Sequence, residues 1–209
     1  MAGDVSGPRS GSSTRLPVVG QPVRERADAA RNRAKIFAAA SELFRGRGVG
    51  AVSMDEIAAA AGVGKGTLFR RFGDKRGLVV ALLDERERDL QGRILAGVPP
   101  LGPGAEPVER LVAFVRAYIG YVFLEPDLLI VSETAYPGAR FSTGAYAFWR
   151  QHCALLLGQA GTPDPQLRAE LLLAALSGEQ LQQWKAGGLA QDRIVDQVAG
   201  LAELLAGRA

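Results

Sequence analysis

Residues 61–75 read AGVGKGTLFRRFGDK, with four glycines set around Lys65, Thr67, Arg70 and Arg71. Residues of these types bind phosphate, in one of two ways. A glycine-rich loop wraps a nucleotide with backbone N–H groups while its lysine reaches the outer phosphates. Alternatively, a short basic helix lies along the phosphodiester backbone of a nucleic acid. The elements around the string decide between the two. Ser53-Met-Asp-Glu56 has the S-x-x-E spacing of a capping box and opens a helix through about Ala61. Gly62 stands where a left-handed helix stop is wanted. A very short helix follows, about 65–71, anchored by Leu68 and Phe72, and Asp74 caps a long one through about Leu95.

A phosphate-wrapping loop needs G-x-x-x-x-G-K-[ST] directly after a buried strand. Here Gly64-Lys65 is followed by Gly66, Ala59 holds the position five before Gly64, and the preceding MDEIAAAA is a capped helix. The GKGT string resembles that of nucleotide monophosphate kinases, so a P-loop-like nucleotide-binding kinase is the alternative reading. A helix-turn-helix accounts for more of the positions. It needs a small residue where its helices touch (Ala58), apolar contacts from each (Ile57, Leu68), and a turn glycine followed by an apolar plug (Gly62, Val63). Its second helix then turns Lys65, Thr67, Arg70 and Arg71 outward, where a phosphate backbone can use them.

The charge distribution agrees. The net charge of +3 over 209 residues conceals 14 basic against 7 acidic residues in positions 1–80, and 11 against 15 in the remainder. A basic first third on an acidic remainder is the pattern of a polyanion-binding module joined to a body with another task. One cysteine, Cys153, and one histidine, His152, leave no basis for a disulfide framework, a cysteine-based zinc site or a nucleophilic triad. Neither catalysis nor a cofactor is expected. No uninterrupted apolar stretch suits a membrane span and no apolar leader segment stands at the N-terminus, so a cytoplasmic protein is expected.

Residues 33–78, RAKIFAAASELFRGRGVGAVSMDEIAAAAGVGKGTLFRRFGDKRGL, resemble the N-terminal domain of TetR/AcrR-family transcriptional regulators. The resemblance covers about a quarter of the chain; the body fits the family only in length and helix count. It implies an all-α homodimer in which each subunit carries a three-helix DNA-binding head on a larger helical ligand-binding and dimerisation body. Such proteins usually repress transcription until a small-molecule effector releases them from a palindromic operator. Carried onto this sequence, Ser53 caps the second helix and touches a phosphate. Lys65, Gly66 and Thr67 meet the groove, Arg70 and Arg71 the base edges or backbone, and Lys75 a phosphate. Three positions depart from the family pattern: Gly64 where serine is commoner, Phe69 where tyrosine is usual, and Arg71 where histidine is frequent. Phe69 therefore lacks the phenolic phosphate contact. The lead-in arginines Arg24, Arg26, Arg31 and Arg33 are either further DNA contacts or a solvated tail.

The whole chain then divides into a disordered tail (1–24), a DNA-binding domain (25–73) and a ligand-binding and dimerisation domain (74–209). In the body, helices are expected at about 142–159, 164–185 and 191–206; the apolar run DLLIVSETA could be a strand, but among so many helices it is read as a short helix. Ile194, Val198, Leu201 and Leu205 repeat at 4-3-4 spacing, a seam suited to another helix. The 164–185 helix is apolar over most of its circumference from Leu171 to Leu176, with Leu172 and Ala175 included, so it needs partners on two sides. The resemblance turns both helices toward a dimer interface, although a single-chain core has the same pattern. Ala145, Phe148, Trp149, His152 and Leu156 share one face. With Phe114, Tyr118, Tyr121, Glu133 and Gln180 they describe either an apolar cavity with a few polar fixing points or a packed core with a hydrogen-bonded histidine. Asp84–Asp89, DERERD, reads as a solvated face.

Overall fold

A computed structural model describes residues 21–124 and 126–207, all of whose regular structure is helical. The expected tail over 1–20 lies outside the described residues. The first helix, α1 (Gln21–Arg47), starts four residues before the boundary expected between tail and head. It leads into α2 (Met54–Ala61), α3 (Lys65–Phe72) and α4 (Lys75–Ala96). The body follows as α5 (Pro107–Leu124), α6 (Pro126–Glu133), α7 (Gly144–Gln159), α8 (Pro165–Ala175), α9 (Gly178–Ala186) and α10 (Gln191–Leu205).

The local signals act as their chemistry requires. The Ser53 hydroxyl accepts from the Glu56 N–H at 3.2 Å, and the Glu56 carboxylate accepts from the Ser53 N–H at 2.8 Å, which closes the capping box. Gly62 ends α2 at φ 64° and ψ 36°, a left-handed conformation that costs glycine nothing. Asp74 caps α4 by accepting from the Gly77 N–H. Behind these caps Ile36, Phe37, Ala40 and Phe44 of α1 pack with Ile57, Leu68 and Leu78 in one apolar core, which continues along α4 through Leu82, Leu90 and Ile94 into the body. Helix α4 touches α3, α5 and α6.

Two expectations for the body are corrected. The helix expected over 164–185 is two, because the chain breaks at Leu176–Ser177 and restarts with Ser177 as N-cap. The break is held from another helix: Glu133 of α6 accepts from the Gly178 N–H at 2.8 Å. A Cβ on Gly178 would lie 3.1 Å from that carboxylate and from Leu129, so a side chain there would make Glu133 and Leu129 give way by a few tenths of an ångström. The seam on α10 is also internal in part. Ile194 and Val198 are buried against this chain's own core, as is Leu172 of α8, and α10 packs on α5. On α7, α8 and α10 the large apolar side chains left outside are Leu155 of α7, Leu167 and Leu171 of α8, and Leu204 of α10. Ala175, Leu201 and Leu205 are half-buried on the same helices.

Candidate nucleic-acid interface and body cluster

Helix α3 buries one residue completely, Leu68, with Phe72 half-buried one turn later. Positions four apart share a helix face, so Gly66 and Arg70 stand together on the side opposite Leu68, with Phe69 flanking them and Lys65 at the open N-terminal end of the helix. All four are exposed. Lys65 pairs with Asp55 of α2. Arg70 has no hydrogen bond or ion pair among the described residues, so its guanidinium is available to a partner. Phe69 is 44% exposed, an apolar ring left on a basic face. Glycine in a helix interior costs about 1 kcal/mol relative to alanine, yet a Cβ on Gly66 would meet nothing within 4 Å. The fold therefore makes no demand for a glycine here, and its absent side chain leaves the helix backbone open to approach. Gly66→Ala is expected to raise the head's unfolding free energy by about 0.5–1 kcal/mol while weakening duplex binding. Paired denaturation and gel-shift titrations check both signs.

The other expected contacts have different employment. The Lys75 ammonium donates to the carbonyls of Val49, Gly50 and Val52 at 2.9, 3.1 and 3.0 Å, so its three donors are already engaged in clamping the α1–α2 turn. Arg71 donates to the Ala29 carbonyl at 2.9 Å and ties α3 to α1. Thr67 is half-buried at the edge of the exposed face. The Ser53 hydroxyl donates to Glu56 at 2.7 Å, and Arg47 pairs with the same carboxylate at 2.7 Å. The Ser53 N–H foremost, then the Ser53 hydroxyl and Arg47, hold the Glu56 carboxyl down at about 2. Arg24 and Arg26 lack described side chains; Arg31 pairs with Asp28, and Arg33 reaches Glu85 at 3.2 Å.

The aromatic residues expected in the body do come together. Phe114 lies 5.7 Å from both Tyr118 and Trp149 and 5.6 Å, edge-on, from His152; Tyr118 meets Tyr121 at 5.3 Å. Gln180 is half-buried on α9. Two polar atoms in the cluster, the Tyr121 hydroxyl and His152 Nε2, are buried without a partner among the described residues. Buried polar groups are normally satisfied, so each marks a place for a further hydrogen bond. Burial, then the charge of Arg110, pushes the His152 imidazole down to about 4, so it stays neutral near pH 7. Burial also lifts the Tyr118 and Tyr121 phenols and the Cys153 thiol, which leaves all three protonated.

The DERERD stretch is not uniformly solvated. Burial foremost, then the charges of Asp84 and Glu133, raises the Glu87 carboxyl to about 7. Beyond it, Glu133 receives Arg140 Nη1 at 2.7 Å, with side-chain exposures of only 10% and 12%. A pair formed by α6 and the short 3-10 helix Ala139–Ser142 carries no periodic signal, and the sequence offered only Glu133.

Residues 36–82 match the model of the bacterial regulatory proteins, tetR family. The match extends past the boundary expected at residue 73 and takes in the first third of α4. The transcriptional activator FasR of Mycolicibacterium smegmatis is 36% identical over 91 residues, 43% of this chain and 40% of that protein. The chain spans about half the length of other curated relatives it matches. Among solved structures, a TetR-like transcriptional regulator from Rhodococcus sp. RHA1 is 27% identical with a TM-score of 0.60, covering 92% of this chain and 100% of that one. A transcriptional regulator from Saccharomonospora viridis in complex with choline is 23% identical with a TM-score of 0.68, covering 83% and 96%.

Proposed function

This chain belongs to the TetR family of bacterial regulatory proteins, and on that premise we propose that it is a ligand-responsive repressor of transcription acting in the cytoplasm as a homodimer. The observation that carries this reading is the exposed surface of α3, where Gly66 and Arg70 stand opposite the buried Leu68, with Phe69 beside them and Lys65 at the helix N-terminus. A helix so presented fits the major groove, with Arg70 toward base edges or phosphates and the Gly66 backbone close to the duplex. Thr67 flanks the contact. Ser53, Arg71 and Lys75 act by holding the head's three helices in register.

The kinase alternative lacks its scaffold. Gly64 and Lys65 follow a capped helix and a left-handed turn, with no strand among the described residues to present a phosphate loop.

A palindromic operator requires two heads about one helical turn, roughly 34 Å, apart. The apolar residues left outside on α7, α8 and α10, above all Leu167, Leu171 and Leu204, offer a surface for a second copy. In place of Leu172, Ile194 and Val198, these residues with Ala175, Leu201 and Leu205 are the interface we propose. The effector is small and mostly apolar, received near Phe114, Tyr118, Tyr121, Trp149 and His152 with the two unpartnered polar atoms as fixing points. A neighbour of the same fold holding choline is a precedent for a small molecule on such a scaffold.

The test is a gel shift with the duplex upstream of the protein's own gene, repeated across salt concentrations. Wild type is expected to bind with a steep salt dependence. Arg70→Ala is expected to lose about 1–3 kcal/mol of binding if it reads a base, or to flatten the log–log salt slope by about 0.9 if it meets a phosphate. Unchanged affinity and slope would remove α3 from the interface.

A further inference from the structure

A cleft of about 530 Å³ separates head from body, bounded by the α1–α2 turn, the first turn of α4, α6 and Gln182 of α9. Its size is that of a small-molecule site. It is distinct from the aromatic cluster, none of whose residues lines it. Val79, Ile130, Val131 and Ala135 make its walls apolar.

The polar groups in the cleft are nearly all engaged. The Lys75 ammonium is saturated by three carbonyls. The Thr134 hydroxyl donates to the Ile130 carbonyl. Asp127 accepts the Val49 N–H on one oxygen and the Gln182 amide on the other, both at 3.4 Å. Arg76 alone among the charged lining residues has no hydrogen bond or ion pair among the described residues, and it is exposed. An apolar cleft with one uncommitted guanidinium complements an apolar body bearing one carboxylate, because guanidinium and carboxylate form two parallel charge-assisted hydrogen bonds.

The position of the cleft gives its occupant a consequence. Asp127 is the direct polar link from α6 to the head's turn, and its 3.4 Å bonds lie at the long end of the hydrogen-bond range. The turn sits close on it: a Cβ on Gly48, at φ 76°, would meet the Asp127 carboxylate at 3.4 Å. A molecule seated between Val79 and Ile130 presses at this link.

We propose that the head–body cleft is a second ligand site, that it takes an amphipathic monocarboxylate held by Arg76, and that occupancy loosens the head from the body. Only this last consequence rests on the reading of the chain as a DNA-binding regulator.

The full chain is titrated calorimetrically with decanoate, with decyltrimethylammonium as the charge-reversed control. Decanoate is expected to bind, Arg76→Gln to weaken it about tenfold through loss of the charge-assisted pair, and Ala135→Phe, which fills the cleft, to abolish binding. His152→Gln, in the aromatic cluster, leaves decanoate binding intact, and saturating decanoate lowers wild-type affinity for the duplex severalfold. Undiminished binding by Arg76→Gln, or loss of binding with His152→Gln in its place, overturns the site. Decanoate binding that depends on Arg76 without any change in duplex affinity overturns the loosening. A protein that binds decanoate through Arg76 but no duplex refutes the regulator reading and leaves the site standing.

Discussion

Leu68→Ala is expected to unfold the head ahead of the body and to abolish duplex binding. Helix α3 has only eight residues and no side-chain cap, since Gly64 supplies none. A helix of that length does not persist in water alone. It stands because Leu68, wholly buried, fixes it to the core shared with α2 and α4. Truncating a leucine in such a site costs about 2–5 kcal/mol from lost transfer energy and the cavity left behind. Both tryptophans, Trp149 and Trp184, lie in the body, so their fluorescence follows that part alone. Thermal scans of Leu68→Ala should show early loss of a fraction of the helical signal, with the tryptophan transition near its original temperature. A variant that melts in one unshifted step and still binds the duplex would deny Leu68 this role.

The second large effect concerns the body. Arg140 gives one guanidinium nitrogen to Glu133 and another to the Leu173 carbonyl, and its head lies 5.4 Å from the Tyr146 ring. Removing one partner of a buried pair leaves the other charge uncompensated, at a cost of about 3–5 kcal/mol. Arg140→Ala is therefore expected to destabilise the body by that order, whereas the double variant Glu133→Gln/Arg140→Leu recovers most of the loss.

The pH dependence has a definite sign. Burial raises the Glu133 carboxyl above its ordinary value even though Arg140 and the Gly178 N–H pull it down. Without Arg140 it rises further. The folded variant then binds a proton more tightly than the unfolded chain, so its stability falls as pH rises through the folded value. Urea titrations at pH 5 and pH 8 should find the larger deficit at pH 8. Equal deficits, or a double variant no better than Arg140→Ala, would mean that the guanidinium acts through packing alone.

The head was legible because each of its decisions is made within a few residues. Ser53 and Glu56 close a box three positions apart, Gly62 stops α2 through its own backbone freedom, and Asp74 caps α4 from the adjacent position. Leu68 and Phe72, one turn apart, define the inner face of α3 and so its outer one. The aromatic cluster was readable for a similar reason: rings spaced along α5 and α7 are bound to face inward. Charges were harder to read. Lys75 looks free in a sequence, yet its ammonium closes on a turn 23–26 residues earlier.

By itself, then, the sequence determined the helical class, the helix-turn-helix and the basic outer face of α3, since caps, turn glycines and short-range periodicity act locally. Only the tertiary structure decided where helices break and which apolar faces are already occupied. The α8–α9 break is met by a Glu133 carboxylate 45 residues away, and Ile194 and Val198 are buried on a helix that packs against α5. Periodicity tells a helix face that it must be buried; it carries no record of which partner buries it.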